Sequence, residues 1–290
     1  MLHKAVLILS IFIILPALFL RPSIAFMSEG TTIKTDQATF YIPAEKPLKV
    51  YKFDPAPKEL EEIISKNIGN SETMFGIVIK NLSTGQEYSL NADEVFSSAS
   101  LYKLSVMYTL YQKDSEGKLD ISKDDIQRNL QSMITVSSNE ASIYLVENYT
   151  SWQEITGDMR ALGLSKTDLT KNPTESSAAD MARLLELIAE GKAVNFDTSY
   201  SMLKLLSEQK VNDRIPVNLP DDTIVAHKTG ELYDVRHDAG VVVTPDNNYI
   251  LVLMSKDSSS PESVKPIMSK ISEEVNNFFK NQWANPPEIL

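Results

Sequence analysis

The sequence predicts an α+β fold: a five-stranded antiparallel sheet flanked by helices, with an all-helical lobe inserted between its strands. Strand-like segments come as two near the start and three near the end, with one long helical stretch between them. Each strand group also has a polar turn and a helix of its own. The two groups can therefore complete one sheet, covered on both faces in a three-layer αβα arrangement.

The first helix is expected from Pro57, a residue suited to a first helical turn, to about Asn67. Thr73 to Lys80 and Gln86 to Leu90 then read as a strand pair turned by Asn81-Leu82-Ser83-Thr84-Gly85. From Ser100 to about Ala189 the chain is helical in several pieces. The first of these repeats apolar residues at Leu101, Leu104, Met107 and Leu110. Strand signals return at Thr223 to Thr229, Ala239 to Thr244 and Tyr249 to Ser255. The last two are joined by Thr244-Pro245-Asp246-Asn247-Asn248, and a final helix covers about Pro261 to Asn281. A cleft between the sheet and the helical lobe is the expected place for a small-molecule site.

Residues 1–25 read as an export signal or N-terminal anchor. His3 and Lys4 precede an apolar run from Ala5 to Leu20, and Ser23-Ile24-Ala25 resembles a small-x-small cleavage site. The rest of the chain is then expected outside the cytoplasm, touching a membrane only through that segment if it is uncleaved. Residues 26–56 carry Pro43, Pro47 and Pro55 without a sustained period, and read as a tether with at most a short strand at Ala38 to Ile42. The domain proper is expected over 57–290, as a monomer. With 39 acidic against 28 basic residues and a net charge of -11, nucleic acid is excluded as a partner. The absence of cysteine excludes disulfides and thiolate chemistry, and nothing in the sequence requires a metal or another cofactor.

Three short segments carry chemistry. Ser100-Leu101-Tyr102-Lys103 puts a hydroxyl and an amine on one helix face, about 5–6 Å apart at Cβ. A desolvated neutral lysine can take the serine proton, and a helix start supplies N–H donors where negative charge develops. Taken alone, the same spacing also describes a capping serine and a solvated lysine. In Ser137-Ser138-Asn139 a hydroxyl could pass a proton to a leaving amine and an amide could hold a carbonyl, although a plain helix cap fits equally. Lys228-Thr229-Gly230 ends a strand, where the lysine and hydroxyl suit a carboxylate and the glycine permits close approach.

Together and in this order the segments match the Ser-x-x-Lys, Ser-Asp-Asn and Lys-Thr-Gly set of class A β-lactamases and penicillin-binding proteins, with Ser138 in place of the usual aspartate. The stretch from Val225 through Gly230 to Arg236-His237-Asp238-Ala239-Gly240-Val241 resembles that serine-hydrolase family as well. The likeness covers about Pro57 to Asn281. It implies that Ser100 attacks a lactam or peptide carbonyl, that Lys103 activates it, and that Ser137 relays the proton to the leaving nitrogen. It also implies an oxyanion hole from the backbone N–H groups of Ser100 and Glu231. Asn139 would hold the substrate amide, and Lys228, Thr229 and Gly230 its carboxylate, helped by Arg236. His237 and Asp238 are expected to be structural.

One departure stands out. Class A enzymes carry a Glu-x-x-Leu-Asn segment whose glutamate activates the deacylating water, and the corresponding stretch, about Gly163 to Ala178, has none. Asp168 and Glu175 are its candidate bases, with Glu175 expected just before a helix starting near Ser176. The expected function is acyl-enzyme formation on Ser100 with a β-lactam or a D-Ala-D-Ala-like peptide, followed by slow deacylation. The alternatives are a D,D-peptidase of peptidoglycan, or a penicillin sensor that acylates and stops.

Overall fold

A computed structural model of the chain describes residues 31–34, 39–42, 58–69, 71–245 and 247–284. The expected signal segment and most of the tether lie outside these residues. Within the tether, β1 (Thr31–Lys34) and β2 (Thr39–Ile42) pair as an antiparallel hairpin, which accounts for the strand pattern read near Ala38 to Ile42.

The central sheet has five strands: β3 (Met74–Asn81), β4 (Glu87–Leu90), β7 (Ile224–Glu231), β8 (Arg236–Val243) and β9 (Asn248–Lys256). They run in the order β4-β3-β9-β8-β7 and every pairing is antiparallel. The central strand β9 explains both cores. Its Tyr249, Leu251 and Leu253 point to one face and Ile250, Val252 and Met254 to the other. The period-2 alternation of a strand thus yields two apolar faces from one unbroken apolar run.

On the first face lie α1 (Lys58–Ile68), through Leu60 and Ile64, and α8 (Pro261–Ala284), through Val264, Met268, Ile271 and Val275. On the second lies the helical lobe: α2 (Tyr102–Ser115), α3 (Asp124–Thr135), α4 (Asn139–Tyr149), α5 (Trp152–Ala161), α6 (Ala178–Ala189) and α7 (Phe196–Ser207). Helix α7 extends the lobe beyond the expected end at Ala189. It is capped by Asn195, whose side chain accepts from the Thr198 N–H. A two-stranded stitch, β5 (Phe96–Ser97) with β6 (Glu175–Ser176), joins the segment before α2 to the segment before α6.

Helix α2 is the spine of the second core. Every residue from Lys103 to Leu110 is buried, so this part of the helix has no solvated face. Truncating a fully buried side chain here, such as Leu104, would cost about 2–5 kcal/mol.

Three expected boundaries are corrected. β7 runs on through Lys228-Thr229-Gly230 to Glu231 and does not end at Thr229, and β8 begins at Arg236, not Ala239. The polar triplet Arg236-His237-Asp238 hid the strand, because His237 and Asp238 are buried and bonded internally, so no apolar alternation marks them. Glu175 does not directly precede a helix. It lies in β6, and α6 starts at Ala178 behind the cap Ser177, whose hydroxyl accepts from the Asp180 N–H.

Candidate active site

Ser100 sits in a single 3-10 turn, Ala99–Leu101, that leads into α2, so the α-helix itself begins two residues later than the serine. No side chain caps this turn, which leaves the Ser100 hydroxyl without a capping role. Ala99 is held at φ +44 and Ser137 at φ +60. Left-handed conformations of non-glycine residues typically cost about 1–3 kcal/mol and persist where the surroundings over-determine them. Here one immediately precedes the Ser100 hydroxyl and the other carries the hydroxyl facing it.

Several contacts fix the segment before Ser100. Ser98 N–H donates to Thr174 O at 2.7 Å and its hydroxyl lies 2.7 Å from the Thr174 hydroxyl. His237 on β8 reaches Ser97 O through Nε2 at 2.8 Å. Ser255 N–H donates to His237 Nδ1 at 3.1 Å, and Arg236 O lies 3.0 Å from the same nitrogen. Burial pushes this imidazole down to about 4, which keeps it neutral in that role. Gly230 on β7 lies so close that a Cβ there would stand 3.2 Å from Ala99 Cβ and 3.3 Å from Ser100 N. The strand backbone thus lies directly against the backbone of the serine.

Lys103, one turn on, is buried and makes four short contacts. Its Nζ lies 3.1 Å from Ser100 Oγ, 3.1 Å from Ser137 Oγ, 2.6 Å from Ser137 O and 2.8 Å from Asn139 Oδ1. The last two are oxygens that can only accept, so they take two N–H bonds. A neutral amine has two, and its lone pair is then left for a serine hydroxyl. Desolvation lowers the Lys103 pKa to about 8, against a smaller opposing pull from Glu140. Among the described residues no carboxylate forms an ion pair with it.

Ser137 lies in the turn between α3 and α4, and Asn139 is the first residue of α4. The intervening Ser138 is the N-cap, accepting from the Ala141 N–H at 3.1 Å. Ser138 therefore has a structural role at the position where the usual motif has aspartate. Across the cleft, Lys228 Nζ donates to Ser137 Oγ at 2.9 Å and to Thr229 O at 2.9 Å. Burial first, and the Lys103 charge second, bring Lys228 down to about 7. Ser100, Ser137, Val211, Thr229 and Glu231 line a cleft of about 170 Å³.

The structure thus gathers Ser100, Lys103, Ser137, Asn139, Lys228, Thr229, Gly230 and Glu231. The other candidates lie elsewhere. Arg236 is turned to Glu262 at 2.6 Å and to the carbonyls of Leu232 and Val235. Asp168 pairs with Arg160 at 3.2 Å and accepts from the Thr170 hydroxyl and N–H, which holds its carboxyl below its ordinary range. Its backbone bridges Glu175 in both directions. Neither carboxylate is hydrogen-bonded to Lys103, Ser100 or Ser137. Asp238 is buried, accepting from Ile215 N–H and lying 2.7 Å from His227 Nδ1.

One residue escaped the sequence reading. Arg214, in the stretch between α7 and β7, is fully buried and its Nη2 donates to Glu231 Oε1, at the cleft wall. Its only sequence mark is an arginine flanked by Asp213 and the buried Ile215, which is no specific signal.

Known proteins resemble this chain in sequence and in fold. The sequence profile of a family described as "Beta-lactamase enzyme family" matches residues 56–127 and 125–279. The chain is 23% identical over 303 residues to the extended-spectrum β-lactamase PER-1 of Pseudomonas aeruginosa, covering 88% of this chain and 94% of that one. A β-lactamase from Sphaerobacter thermophilus superposes with a TM-score of 0.71 at 17% identity, over 80% of this chain and 99% of that one. A mutant of PBP-A, solved as its acyl-enzyme with penicillin G, gives a TM-score of 0.71 at 20% identity, over 77% and 97%.

Proposed function

The chain belongs to the β-lactamase enzyme family, and on that premise we propose that it is an acyl-enzyme-forming serine hydrolase with Ser100 as nucleophile, acting on β-lactams or D-Ala-D-Ala-like peptides outside the cytoplasm. The observation that carries the reading is the buried Lys103 Nζ placed between the hydroxyls of Ser100 and Ser137 and held by the oxygens Ser137 O and Asn139 Oδ1.

The steps follow from that geometry. Lys103 takes the Ser100 proton as Oγ bonds to the carbonyl carbon. Negative charge grows on the carbonyl oxygen, which the N–H groups of Ser100 and Glu231 receive where Gly230 brings the two backbones together. As the C–N bond breaks, the proton passes from Lys103 through the Ser137 hydroxyl to the leaving nitrogen. Asn139 holds the substrate amide, and Thr229 with Lys228 lines the far wall. Hydrolysis then needs water and a second proton acceptor, and the short stretch 163–178 supports a slow second step. That same feature favours a second reading, a penicillin-binding sensor or D,D-peptidase that releases its acyl group slowly.

Intact mass spectrometry after incubation with a penicillin tests the central claim. One adduct is expected, absent in Ser100→Ala. An adduct that persists in the variant would remove Ser100 from its role.

A further inference from the structure

Helix α3 ends at Thr135, and the last carbonyls of a helix have no partner within it. Ser138 N–H turns back to Ser132 O at 3.1 Å, and Ser137 inside that turn stands at φ +60. Glycine takes such a position without strain but carries no hydroxyl. The turn accepts strain to place a side chain, so its backbone must be held by groups from outside the helix.

Gln209 supplies that hold. It follows the end of α7 by two positions, and only 4% of its surface is exposed. Its Nε2 donates to Ile134 O at 2.9 Å, across 75 residues of sequence. Its Oε1 accepts from the N–H groups of Lys210 and Val211, both at 3.0 Å. Lys210 N–H also reaches Thr135 O at 2.9 Å. The two final carbonyls of α3 are thus taken by one short segment, and Val211 of that segment lines the cleft together with Ser137. An amide suits this junction, because it offers a donor for a carbonyl and an acceptor for two N–H groups at one buried point.

We infer that Gln209 is a positioning residue for the proton relay. It fixes the end of α3 so that the Ser137 hydroxyl stays between Lys103 and Lys228 while a proton is delivered to the leaving nitrogen. Gln209 is not hydrogen-bonded to Ser100, Lys103 or Ser137, and acts through the carbonyls of Ile134 and Thr135. The inference rests on Ser100 being the acylated residue and Ser137 the relay.

The relay matters according to what the leaving group needs. An amide nitrogen must gain a proton as its C–N bond breaks. In a thioester the C–S bond breaks, the thiolate leaves with the electron pair, and the Ser100 proton stays on Lys103. The test compares acylation rates of benzylpenicillin and a peptide-like thioester, by intact mass, on the same protein. Gln209→Met keeps the length of the side chain and loses its hydrogen bonds. Its penicillin rate should fall roughly tenfold or more, while its thioester rate stays within about threefold. Gln209→Glu keeps the acceptor for Lys210 and Val211 and loses only the donor to Ile134 O. It should lower the penicillin-to-thioester ratio in the same direction, and decides the matter if the methionine variant does not fold. Met268→Ala, in α8 on the other face of the sheet, loosens a core without touching α3 and should leave the ratio unchanged. A ratio within about twofold of the original in the folded Gln209 variants, or an equal fall in Met268→Ala, overturns the inference while leaving Ser100 in place. No adduct with either probe would remove the Ser100 reading, and this one with it.

Discussion

If Lys103 is the base, the acylation rate must follow its neutral fraction. Burial holds it at about 8 where an unperturbed lysine stands at 10.5. At pH 7 a base of pKa 8 is about 9% neutral, against about 0.03% at 10.5, a gain of roughly 300-fold in working base. Below its pKa the neutral fraction falls about tenfold per pH unit, so the rate should climb with a slope near one and level off above roughly pH 8. Lys228, lowered to about 7 and sharing Ser137 with Lys103, puts a second proton within reach. The observed midpoints then belong to the pair and not to either amine. Stopped-flow or quenched mass measurement of the pseudo-first-order acylation rate between about pH 5.5 and 9.5 gives the profile. Lys103→Arg, a cation that cannot give up its proton, should lose about 10²–10⁴-fold at every pH. A profile flat between about pH 6 and 9, or an arginine variant within about tenfold of the unsubstituted protein, refutes the assignment.

Two further outcomes follow from the same geometry. Turnover of penicillin should show a burst of one acyl group per Ser100 followed by slow release, since a positioned base is worth about 10²–10⁴-fold in the step it serves; a hundredfold drop in deacylation alone, in Asp168→Asn or Glu175→Gln, would place that base in the stretch 163–178 after all. Gly230→Ala puts a methyl 3.2–3.3 Å from Ala99, His237 and Ser100 N, and should cost about 1–3 kcal/mol in thermal stability together with a lower acylation rate; no change in either measurement would mean that the close approach of β7 does not matter.

The sheet was legible because its strands obey simple rules. The apolar run Tyr249 to Met254 and the turn at 244–248 mark a buried central strand and its hairpin, and the two-plus-three grouping predicts one sheet. Ser100, Lys103, Ser137 and Lys228 were legible through motif order alone, since a caps-and-turns explanation fits each when considered singly. What the sequence hid was polar and buried. The start of β8 carries His237 and Asp238, whose partners Ser97, Ser255, His227 and Ile215 come from distant parts of the chain. Arg214 was missed for the same reason, and Arg236 was favoured in its place because it follows the Lys-Thr-Gly segment. Only the fold shows that Arg236 turns to Glu262. The role of Glu231 was read from its backbone alone.

The bond between Lys228 and Ser137 has a consequence for how the cleft can move. One wall is the edge strand of the sheet, the other the turn between α3 and α4, and Ser137 is the clasp that holds them. To widen the mouth, the protein would have to take a hydroxyl away from buried amines that have little water to replace it. Ligands therefore meet an aperture of set width. Such a gap rewards molecules that are already the right shape, as a strained bicyclic ring is, and penalises flexible chains that must be straightened on arrival.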